Sequence, residues 1–526
     1  MRERCGRDDR APRVDLAPPP TDPPPVSHDP LFVGLDCSTH GVKAIAWSAR
    51  GEPVAQAAAP FPLDNPQPGF WEQDPQHWLE ASLHVLARLA SEAGPRIASI
   101  AITHQRETFV GVDASCAPVR PAIVWMDERA RQDVDELSVS VGAEAFHSIT
   151  GKPLNLTPSV SKIHWIRRVE PDAFHRADRW LDVQAWLVRH LTGEDATSVG
   201  SADPMGLVNL SRGQWDDVLL EAVGILPRQL PRLVPSGSVV GNLATHQALA
   251  TGLPPGLPVV ATAGDGQVAA LGAGVRDLRT AYMNLGTAIV AGVVSGELLV
   301  DRAFRTMSGA EPKTFLLESD LKGGTFTVDW LVERLLGSSK SVAELEAHAC
   351  AIPAGAGGMV LVPYLATVMD PYWDDDASGV LLGLRGDHGP AHVFRAILEG
   401  IAFEERLHLE EIERAAGETI EKVHVLGGGA SSGLWCQILA DVLDRPVVRT
   451  RHPEATSLGA AMLGAVAIGS LGSAAQAVQA MGGTGAVFEP GEDRARYARL
   501  YAEVFVGLYP AVRGAMSKLA RISREP

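Results

Sequence analysis

The first residues suited to chemistry lie in one short hairpin. Leu31–Ala44 reads as an apolar strand that ends at Asp36, followed by a polar turn and a second apolar strand. The turn contains Ser38 and Thr39, and the second strand carries Lys43. A carboxylate beside such a turn can help to hold a metal ion, and the backbone N–H groups of the turn can cradle a phosphate. The first hypothesis is a nucleotide-phosphate site, and the alternative is an ordinary surface hairpin whose polar side chains satisfy turn hydrogen bonds.

A second acidic residue, Asp265, offers a group that can accept a proton. The apolar strand Pro258–Thr262 precedes it, and a helix is predicted to start near Gln267. Ligand sites of α/β proteins concentrate at the C-terminal ends of strands, and phosphoryl transfer needs a base for the attacking hydroxyl. Asp265 is therefore the candidate general base. The alternative is a plain helix N-cap, a position at which Asp is common.

The elements that position these residues alternate between strands and helices. Apolar runs of strand length and helical spacing after Asp74-Pro75 predict an α/β domain in the first half of the chain. A strand, Gly-Thr turn and strand recur at Ala281–Val294, which suggests a second, related domain. A long helix is predicted over Ala391–Ala415, and the strand Val423–Leu426 is predicted to run into a glycine turn and a further helix.

Composition restricts the class of protein. The 526 residues are too many for one ordinary core, so two or more domains are expected. The formal net charge of −17 argues against a nucleic-acid or anionic-membrane partner. The five cysteines are scattered without a Cys-x-x-Cys pair, which fits a reducing cytoplasm, and no apolar run reaches transmembrane length. The sequence also contains no Walker A loop, no His-Arg-Asp kinase loop and no Gly-x-Gly-x-x-Gly on its first strand.

Taken together, segments along residues 31–515 resemble the FGGY family of carbohydrate kinases, which includes glycerol kinase, xylulokinase and ribulokinase. The matching segments occur in the family's order: Gly34–Lys43, Phe70–Pro75, Gln105–Thr108, Pro121–Arg129, Gly264–Ala270, Leu285–Thr287, Gly379–Glu399, Leu426–Asp441 and Ala455–Ala461. The resemblance implies an α/β fold of two actin-like (ribonuclease H-like) domains with ATP and sugar in the cleft between them. The expected parts are a proline-rich disordered arm at 1–30, a sugar-binding domain at 31–278 and a nucleotide-binding domain at 279–526.

The resemblance also implies roles for individual residues. Asp265 would be the general base, and Asp36 would hold Mg²⁺. Substrate contacts are implied for Gln105, Arg106, Glu107 and Trp125. ATP contacts are implied for residues of both hairpins, the glycine turn and the helix after it: Ser38, Thr39, Lys43, Gly286, Thr287, Gly427, Gly428, Gly429 and Ser432. The first hairpin departs from the family pattern at Cys37 and His40, whose bulk bears on the phosphate site.

The substrate segments combine features of two enzymes. Gln105–Glu107 resembles glycerol kinases, whereas Trp125–Arg129 resembles xylulokinases. The resemblance implies ATP-dependent phosphorylation of a terminal hydroxyl on a small sugar, with a ketopentose such as xylulose preferred and glycerol or a tetritol as the alternative. A sugar-binding protein that no longer transfers phosphate and an actin-like structural protein are the alternatives from other classes. A homodimer is an open expectation.

Overall fold

The computed structural model describes residues 29–524, so nearly all of the proline-rich arm expected at 1–30 lies outside the described residues. The strands of the first half are β1 (Leu31–Cys37), β2 (Gly41–Ser48), β3 (Pro53–Pro60), β4 (Glu72–Gln73), β5 (Ile97–His104), β6 (Phe109–Val112), β7 (Ala122–Ile123), β8 (Arg179–Asp182), β9 (Ala196–Ser198), β10 (Val208–Asn209), β11 (Gln214–Trp215), β12 (Arg232–Val234), β13 (Ser238–Asn242) and β14 (Pro258–Ala261). Its helices are α1 (Pro75–Ala93), α2 (Arg131–Leu137), α3 (Ala143–Thr150), α4 (Ser159–Val169), α5 (Pro171–Arg176), α6 (Val183–Thr192), α7 (Val199–Ala202), α8 (Asp217–Val223), α9 (Thr245–Thr251) and α10 (Asp265–Gly272).

The main sheet of this half has the strand order β13-β14-β5-β1-β2-β3, with β1, β5 and β14 parallel. Side chains alternate between the two faces of a strand. Leu31, Val33 and Leu35 of β1 accordingly pack into one core cluster, whereas Phe32 packs into another on the opposite face. Asp36 lies at an even position, so it shares the face of Phe32, which is the face that Leu458 and Met462 of the second half cover.

The second half contains a matching set of elements. Its strands are β15 (Thr280–Leu285), β16 (Ile289–Ser295), β17 (Arg305–Ser308), β18 (Phe315–Leu321), β19 (Val360–Val362), β20 (Val380–Leu382), β21 (Lys422–Leu426), β22 (Val447–Thr450) and β23 (Thr484–Phe488). Its helices are α11 (Thr325–Asp329), α12 (Val342–Ala349), α13 (Pro390–Ala416), α14 (Gly433–Leu443), α15 (Ala455–Ala467), α16 (Ala474–Met481), α17 (Arg494–Leu500) and α18 (Val506–Arg524). The predicted hairpins, the long helix and the strand before the glycine turn are all present within these bounds.

The sheet of the second half repeats the arrangement of the first. Its order is β17-β18-β16-β15-β21-β22-β23, with an antiparallel hairpin beside parallel strands β15, β21 and β22. Odd-numbered residues of β15 pack into the large C-terminal core, whereas Tyr282 on the other face packs against α10. Both sheets therefore turn one face toward the middle of the molecule.

Two helices, α10 and α15, cross between the sheets. Helix α15 comes from the second half of the sequence, yet it packs on β1 and β5 of the N-terminal sheet. Glycines allow this close approach: a Cβ at Gly272 would lie 1.9 Å from the Ala455 carbonyl oxygen, and one at Gly459 would lie 2.0 Å from the Val268 carbonyl oxygen. Backbone atoms cannot move aside cheaply, so these positions fix the location of α10 and of Asp265 at its start.

We expect Gly459→Ala to lower the free energy of unfolding by about 2–3 kcal/mol, because overpacking a close contact costs that much. The variant should also lose activity in its folded fraction, since the added methyl group pushes α10 and its Asp265 out of place. Chemical denaturation together with kcat per folded molecule measures both effects.

Gly514→Ala is the matched control for that prediction. Gly514 lies inside α18, and a Cβ there meets no atom within 4 Å. This control should keep full activity and gain slightly in stability, because alanine favours a helix. Wild-type stability in Gly459→Ala would show that the helix contact is looser than these distances indicate.

Within residues 29–524, no helix is both long and apolar enough to cross a membrane.

Candidate active site

The first hairpin places Asp36 directly opposite Lys43 in the β1–β2 register. Lys43 Nζ lies 2.6 Å from Glu454 Oε1, at the start of α15, so this lysine joins the two halves of the chain. Its predicted ATP contact remains a prediction, and the ion pair is an additional role. Asp36 Oδ1 is buried and has no hydrogen-bond partner among the described residues.

The surroundings of Asp36 fit a divalent cation. Burial, followed by the nearby carboxylates of Asp265 and Glu454, raises the pKa of Asp36 to about 8, and Lys43 opposes this shift only in part. An orphaned carboxylate oxygen beside two further carboxylates is the kind of hard oxygen donor set that Mg²⁺ takes. The predicted metal role of Asp36 is therefore compatible with its environment.

The two unusual residues of this hairpin differ in burial. Cys37 is fully buried and packs in the N-terminal core, and His40 is exposed. Ser38 donates its hydroxyl to the Gly41 carbonyl oxygen at 3.0 Å, which closes the turn. Thr39 accepts a hydrogen bond from the Trp125 indole at 3.0 Å. The bulk of Cys37 is thus directed into the core, and phosphate contacts by Ser38 and Thr39 remain predictions.

The second hairpin and the glycine turn lie together. Strands β15 and β21 pair in parallel, which sets Asn284 opposite Leu426. Gly427 has a φ of +82°, and a Cβ on it would lie 2.4 Å from Asn284 Oδ1. A Cβ on Gly428 would meet nothing within 4 Å, so this glycine borders open space.

Other residues that were predicted to contact ATP make contacts within the protein. A Cβ on Gly429 would lie 2.5 Å from the Trp435 ring, so this glycine is required by a side chain of α14. Ser432 caps α14 by accepting from the Trp435 N–H at 3.0 Å, and it donates to Glu346 Oε1 at 2.6 Å. The carbonyl oxygens of Gly286 and Thr287 accept from the backbone N–H groups that open α11. ATP contacts by these residues remain predictions.

Asp265 is the first residue of α10, and Gly264 occupies the N-cap. The plain N-cap interpretation therefore does not describe Asp265. Its Oδ1 accepts from the Gly266 N–H at 2.8 Å and lies 3.0 Å from Arg106 Nε. Oδ2 has no hydrogen-bond partner within residues 29–524. The side chain is 41% exposed, so this second oxygen is available to a ligand.

Arg106 and Glu107 follow directly from the end of β5, beside the first hairpin. The Gln105 N–H donates to the Cys37 carbonyl oxygen at 2.9 Å, which joins this segment to β1. Glu107 has a φ of +56°, a left-handed backbone that is rare outside glycine and is typical of functional sites. Burial raises the pKa of Glu107, and the Arg305 and Arg106 guanidiniums oppose that shift.

Gln105 and Trp125 are tied to neighbouring side chains. The Gln105 amide donates to Gln73 Oε1 at 2.9 Å and accepts from the Thr108 hydroxyl at 3.2 Å. Trp125 is half-buried, and its indole N–H is bound to Thr39. Substrate contact by either remains a prediction, and the structure gives Gln105 a clear role in bracing the segment that carries Arg106.

The C-terminal sheet adds residues that the sequence patterns did not identify. Tyr282, Gly292, Glu318 and Arg305 lie in one row across four adjacent strands, because each is the register partner of the next. Glu318 is fully buried, and both of its oxygens lie 2.9 Å from Arg106 Nη1. One signal was visible in the sequence: Glu318 and Asp320 alternate within the strand Phe315–Leu321, which is otherwise apolar except for Ser319.

Two buried lysines, Lys152 and Lys162, lie near these charged residues. Lys152 Nζ lies 2.6 Å from Asp203 Oδ1. Lys162 Nζ donates to the carbonyl oxygens of Trp125 and Thr157, both at 2.8 Å, and burial lowers the pKa of Lys162 to about 8. Both lysines are buried and their ammonium groups are bound to protein oxygens, so they hold together the segments around this region.

Two related α/β domains, with acidic residues and glycine turns facing a shared cleft, define the class of two-domain, actin-like phosphotransferases. The FGGY family of carbohydrate kinases matches this chain with its N-terminal domain over residues 31–272 and its C-terminal domain over residues 281–468. The chain therefore belongs to the FGGY family of carbohydrate kinases, and it is an ATP-dependent kinase of sugars or polyols.

Individual relatives differ in the substrates that their names specify. A glycerol kinase of Alkalilimnicola ehrlichii is 33% identical over 458 residues, which cover 84% of this chain and 91% of that protein. The xylulose kinase of Escherichia coli is 31% identical over 441 residues, which cover 83% and 90%. The solved structure of xylulose kinase from Rhodospirillum rubrum has a TM-score of 0.85 at 30% identity and covers 92% of this chain and 99% of that one.

Proposed function

We propose that the enzyme transfers the γ-phosphoryl group of ATP to a terminal hydroxyl of a neutral small sugar, preferably a ketopentose such as xylulose. One arrangement carries the proposal. Arg106 contacts the candidate base Asp265, and Glu107 follows it in the chain, so donors and acceptors for neighbouring hydroxyls converge at one place. Hydrogen bonds to charged groups are the strong kind, which suits recognition of a polyol.

In the reaction, Asp265 accepts the proton of the substrate hydroxyl while the hydroxyl oxygen forms a bond to the γ-phosphorus. The bond between the γ-phosphorus and the β,γ-bridging oxygen breaks, and ADP leaves with that electron pair. Arg106 and Glu107 orient the sugar, and the two hairpins with the glycine turn at Gly428 receive the nucleotide. Asp36 would hold Mg²⁺, which neutralises phosphate charge when bound.

The charge pattern favours a neutral substrate over an acidic one. Arg106, Arg305 and Lys152 each already pair with a carboxylate at the cleft. A sugar acid such as gluconate would bring a further negative charge next to Glu107 and Asp265. Taking an uncompensated charge out of water is costly, so aldonates should be poor substrates.

Glycerol or a tetritol is the second candidate. The Gln105–Glu107 segment has the form seen in glycerol kinases, and glycerol kinase is the name of the Alkalilimnicola ehrlichii relative. A three- or four-carbon polyol presents the same terminal CH₂OH beside a secondary hydroxyl, so the Arg106–Glu107 pair would serve it equally well.

ADP release by the purified protein, measured against ketopentoses, tetritols, glycerol and gluconate, tests the proposal. We expect the highest kcat/KM with a ketopentose and turnover of gluconate at least about 100-fold lower, since an unpaired charge costs several kcal/mol. A preference for glycerol or a tetritol would select the second candidate. Binding of a sugar by calorimetry without ADP release for any compound would show a non-catalytic member of the family.

A further inference from the structure

A buried carboxylate of the C-terminal sheet reaches across the cleft to the sugar-binding segment of the N-terminal domain. Glu318 Oε1 accepts from Arg106 Nη1 at 2.9 Å and from Arg305 Nε at 2.8 Å. Glu318 Oε2 accepts from Arg106 Nη1 and from the Tyr282 hydroxyl, both at 2.9 Å. Both oxygens are fully used and Glu318 has no exposed surface, so it acts on the substrate only through its neighbours.

The row that contains Glu318 is built to hold it in place. Gly292 separates Tyr282 from Glu318 in the register, and without a side chain between them the Tyr282 hydroxyl reaches Glu318. Arg305 lies on the other side of Glu318, opposite it on β17. Burial would raise the pKa of Glu318, but the Arg106 and Arg305 guanidiniums hold it below its usual value, so Glu318 stays charged.

The strand β17 beside it is anchored to the N-terminal domain. The Thr306 N–H donates to the Gly151 carbonyl oxygen at 2.8 Å, and the Ser308 N–H donates to Asp203 Oδ2 at 2.9 Å. Lys152 donates to the Thr306 carbonyl oxygen at 3.2 Å. Glu318 is thus presented to Arg106 from a support that is itself fixed against the N-terminal domain.

The Arg106 guanidinium therefore contacts two carboxylates, those of Asp265 and Glu318. Its Nε lies on Asp265 Oδ1, its Nη1 lies on Glu318, and its Nη2 has no partner among residues 29–524. When no other group competes, an arginine and a carboxylate favour a bidentate pair with two parallel N–H···O bonds. Without Glu318, the guanidinium would turn to grip Asp265 with two N–H groups and would occupy the oxygen needed for the substrate proton.

We propose that Glu318 is a positioning residue that limits Arg106 to a single ion-pair contact with the general base, keeping Asp265 Oδ2 and Arg106 Nη2 free for two substrate hydroxyls. This inference rests on the proposed role of Asp265. The charged and titratable groups around the unit are Arg106, Asp265, Glu107, Asp36, Tyr282, Arg305 and Asp320.

A double-mutant cycle between Glu318→Gln and Arg106→Gln tests the proposal. Glu318→Gln should lower kcat about 10- to 100-fold, part of the value of general-base catalysis, and leave the KM for ATP unchanged. Because Glu318 acts through Arg106, adding Glu318→Gln to Arg106→Gln should change kcat by less than about threefold. Two independent losses that multiply in the double variant would overturn the proposal.

The chain offers a closely matched control in Glu399→Gln. Glu399 is also buried, lies 2.7 Å from the Nε of Arg395 and accepts from the Tyr497 hydroxyl at 2.8 Å, but its partners all belong to the C-terminal core. This control should lose thermal stability as Glu318→Gln does, while kcat per folded molecule stays at the wild-type value. An equal loss of kcat in the control would make the effect of Glu318 merely structural.

Calorimetric binding of the sugar without ATP separates this inference from the proposed function. If the wild-type protein binds a sugar but does not phosphorylate it, the proposed function fails. The freed Arg106 Nη2 is still tested then, because Glu318→Gln should weaken sugar binding at least about fivefold. Unchanged sugar binding together with unchanged kcat would refute the positioning role.

Discussion

Asp265→Asn is expected to lower kcat by at least about 100-fold, the scale of general-base catalysis, while the protein still binds ATP. The substitution preserves the shape of the side chain, and an asparagine oxygen can still accept from the Gly266 N–H and lie beside Arg106. The amide cannot take the proton of the attacking hydroxyl. The loss should therefore fall on the chemical step, which rapid-quench measurement of sugar phosphate formation reports directly.

Asp217→Asn is the control for this result. Asp217 is also the first residue of a helix, α8, but it is exposed and lies away from the cleft. It should keep wild-type kcat and stability. Substantial turnover by Asp265→Asn, with nucleotide bound normally, would remove Asp265 from the role of general base.

The residues predicted from sequence share a property: local pattern is enough to locate them. Asp36 lies near the end of an apolar strand, Asp265 follows a second one and the glycine turn follows a third, so the end of a strand marks each one. The strands β1 and β14 are both parallel to β5 in one sheet, so their C-terminal ends, which lead to Asp36 and Asp265, lie at the same edge. The two-domain division could likewise be anticipated, because each half opens with a similar hairpin.

The residues that escaped prediction depend on contacts between distant parts of the chain. Arg106 and Glu318 are 212 positions apart, and Lys43 and Glu454 are 411 positions apart. No local periodicity specifies which charged residue of one domain meets which of the other. The alternation of Glu318 and Asp320 signalled that charges face one side of β18, but not that Glu318 meets Arg106.

The position of α15 was hidden for a similar reason. Its sequence, Ala455–Ala467, reads as an apolar helix that any α/β domain could bury. Only the fold shows that α15 packs on β1 of the N-terminal sheet and not on the sheet of its own half. The approach is close, because a Cβ at Gly34 would lie 1.9 Å from the Ser457 carbonyl oxygen. Helix α15 thereby contacts both the N-terminal sheet and α10, the helix that begins with the candidate base Asp265.

Asp36→Asn is expected to abolish Mg²⁺-dependent turnover and, in contrast, to stabilise the metal-free protein. The wild-type carboxyl has a pKa of about 8 when folded and about 3.8 when unfolded. Between these values the folded protein keeps a proton that the unfolded chain has lost, so the contribution of Asp36 to stability declines as the pH rises from 4 to 8. A shift of this size corresponds to at most about 6 kcal/mol, and partial exposure reduces the expected gain in the variant to about 2 kcal/mol.

Thermal unfolding in chelator and in excess Mg²⁺ checks both parts. In chelator at pH 8 the variant should unfold at a higher temperature than the wild type, and the difference should vanish near pH 4. Added Mg²⁺ should stabilise the wild type, because a ligand that binds only the folded state raises its stability, and should leave Asp36→Asn unchanged. Asp64→Asn, which alters an exposed carboxylate of the same domain, should behave as the wild type.

The combination of outcomes separates a metal ligand from a structural carboxylate. If Asp36 stabilised the metal-free fold, its replacement would lower stability, and the variant would unfold at a lower temperature in chelator. A carboxylate that binds the metal instead needs a buried oxygen that no protein group occupies, and Asp36 Oδ1 is such an oxygen. Loss of stability in chelator, or an undiminished response of the variant to Mg²⁺, would assign the cation to other residues of the cleft.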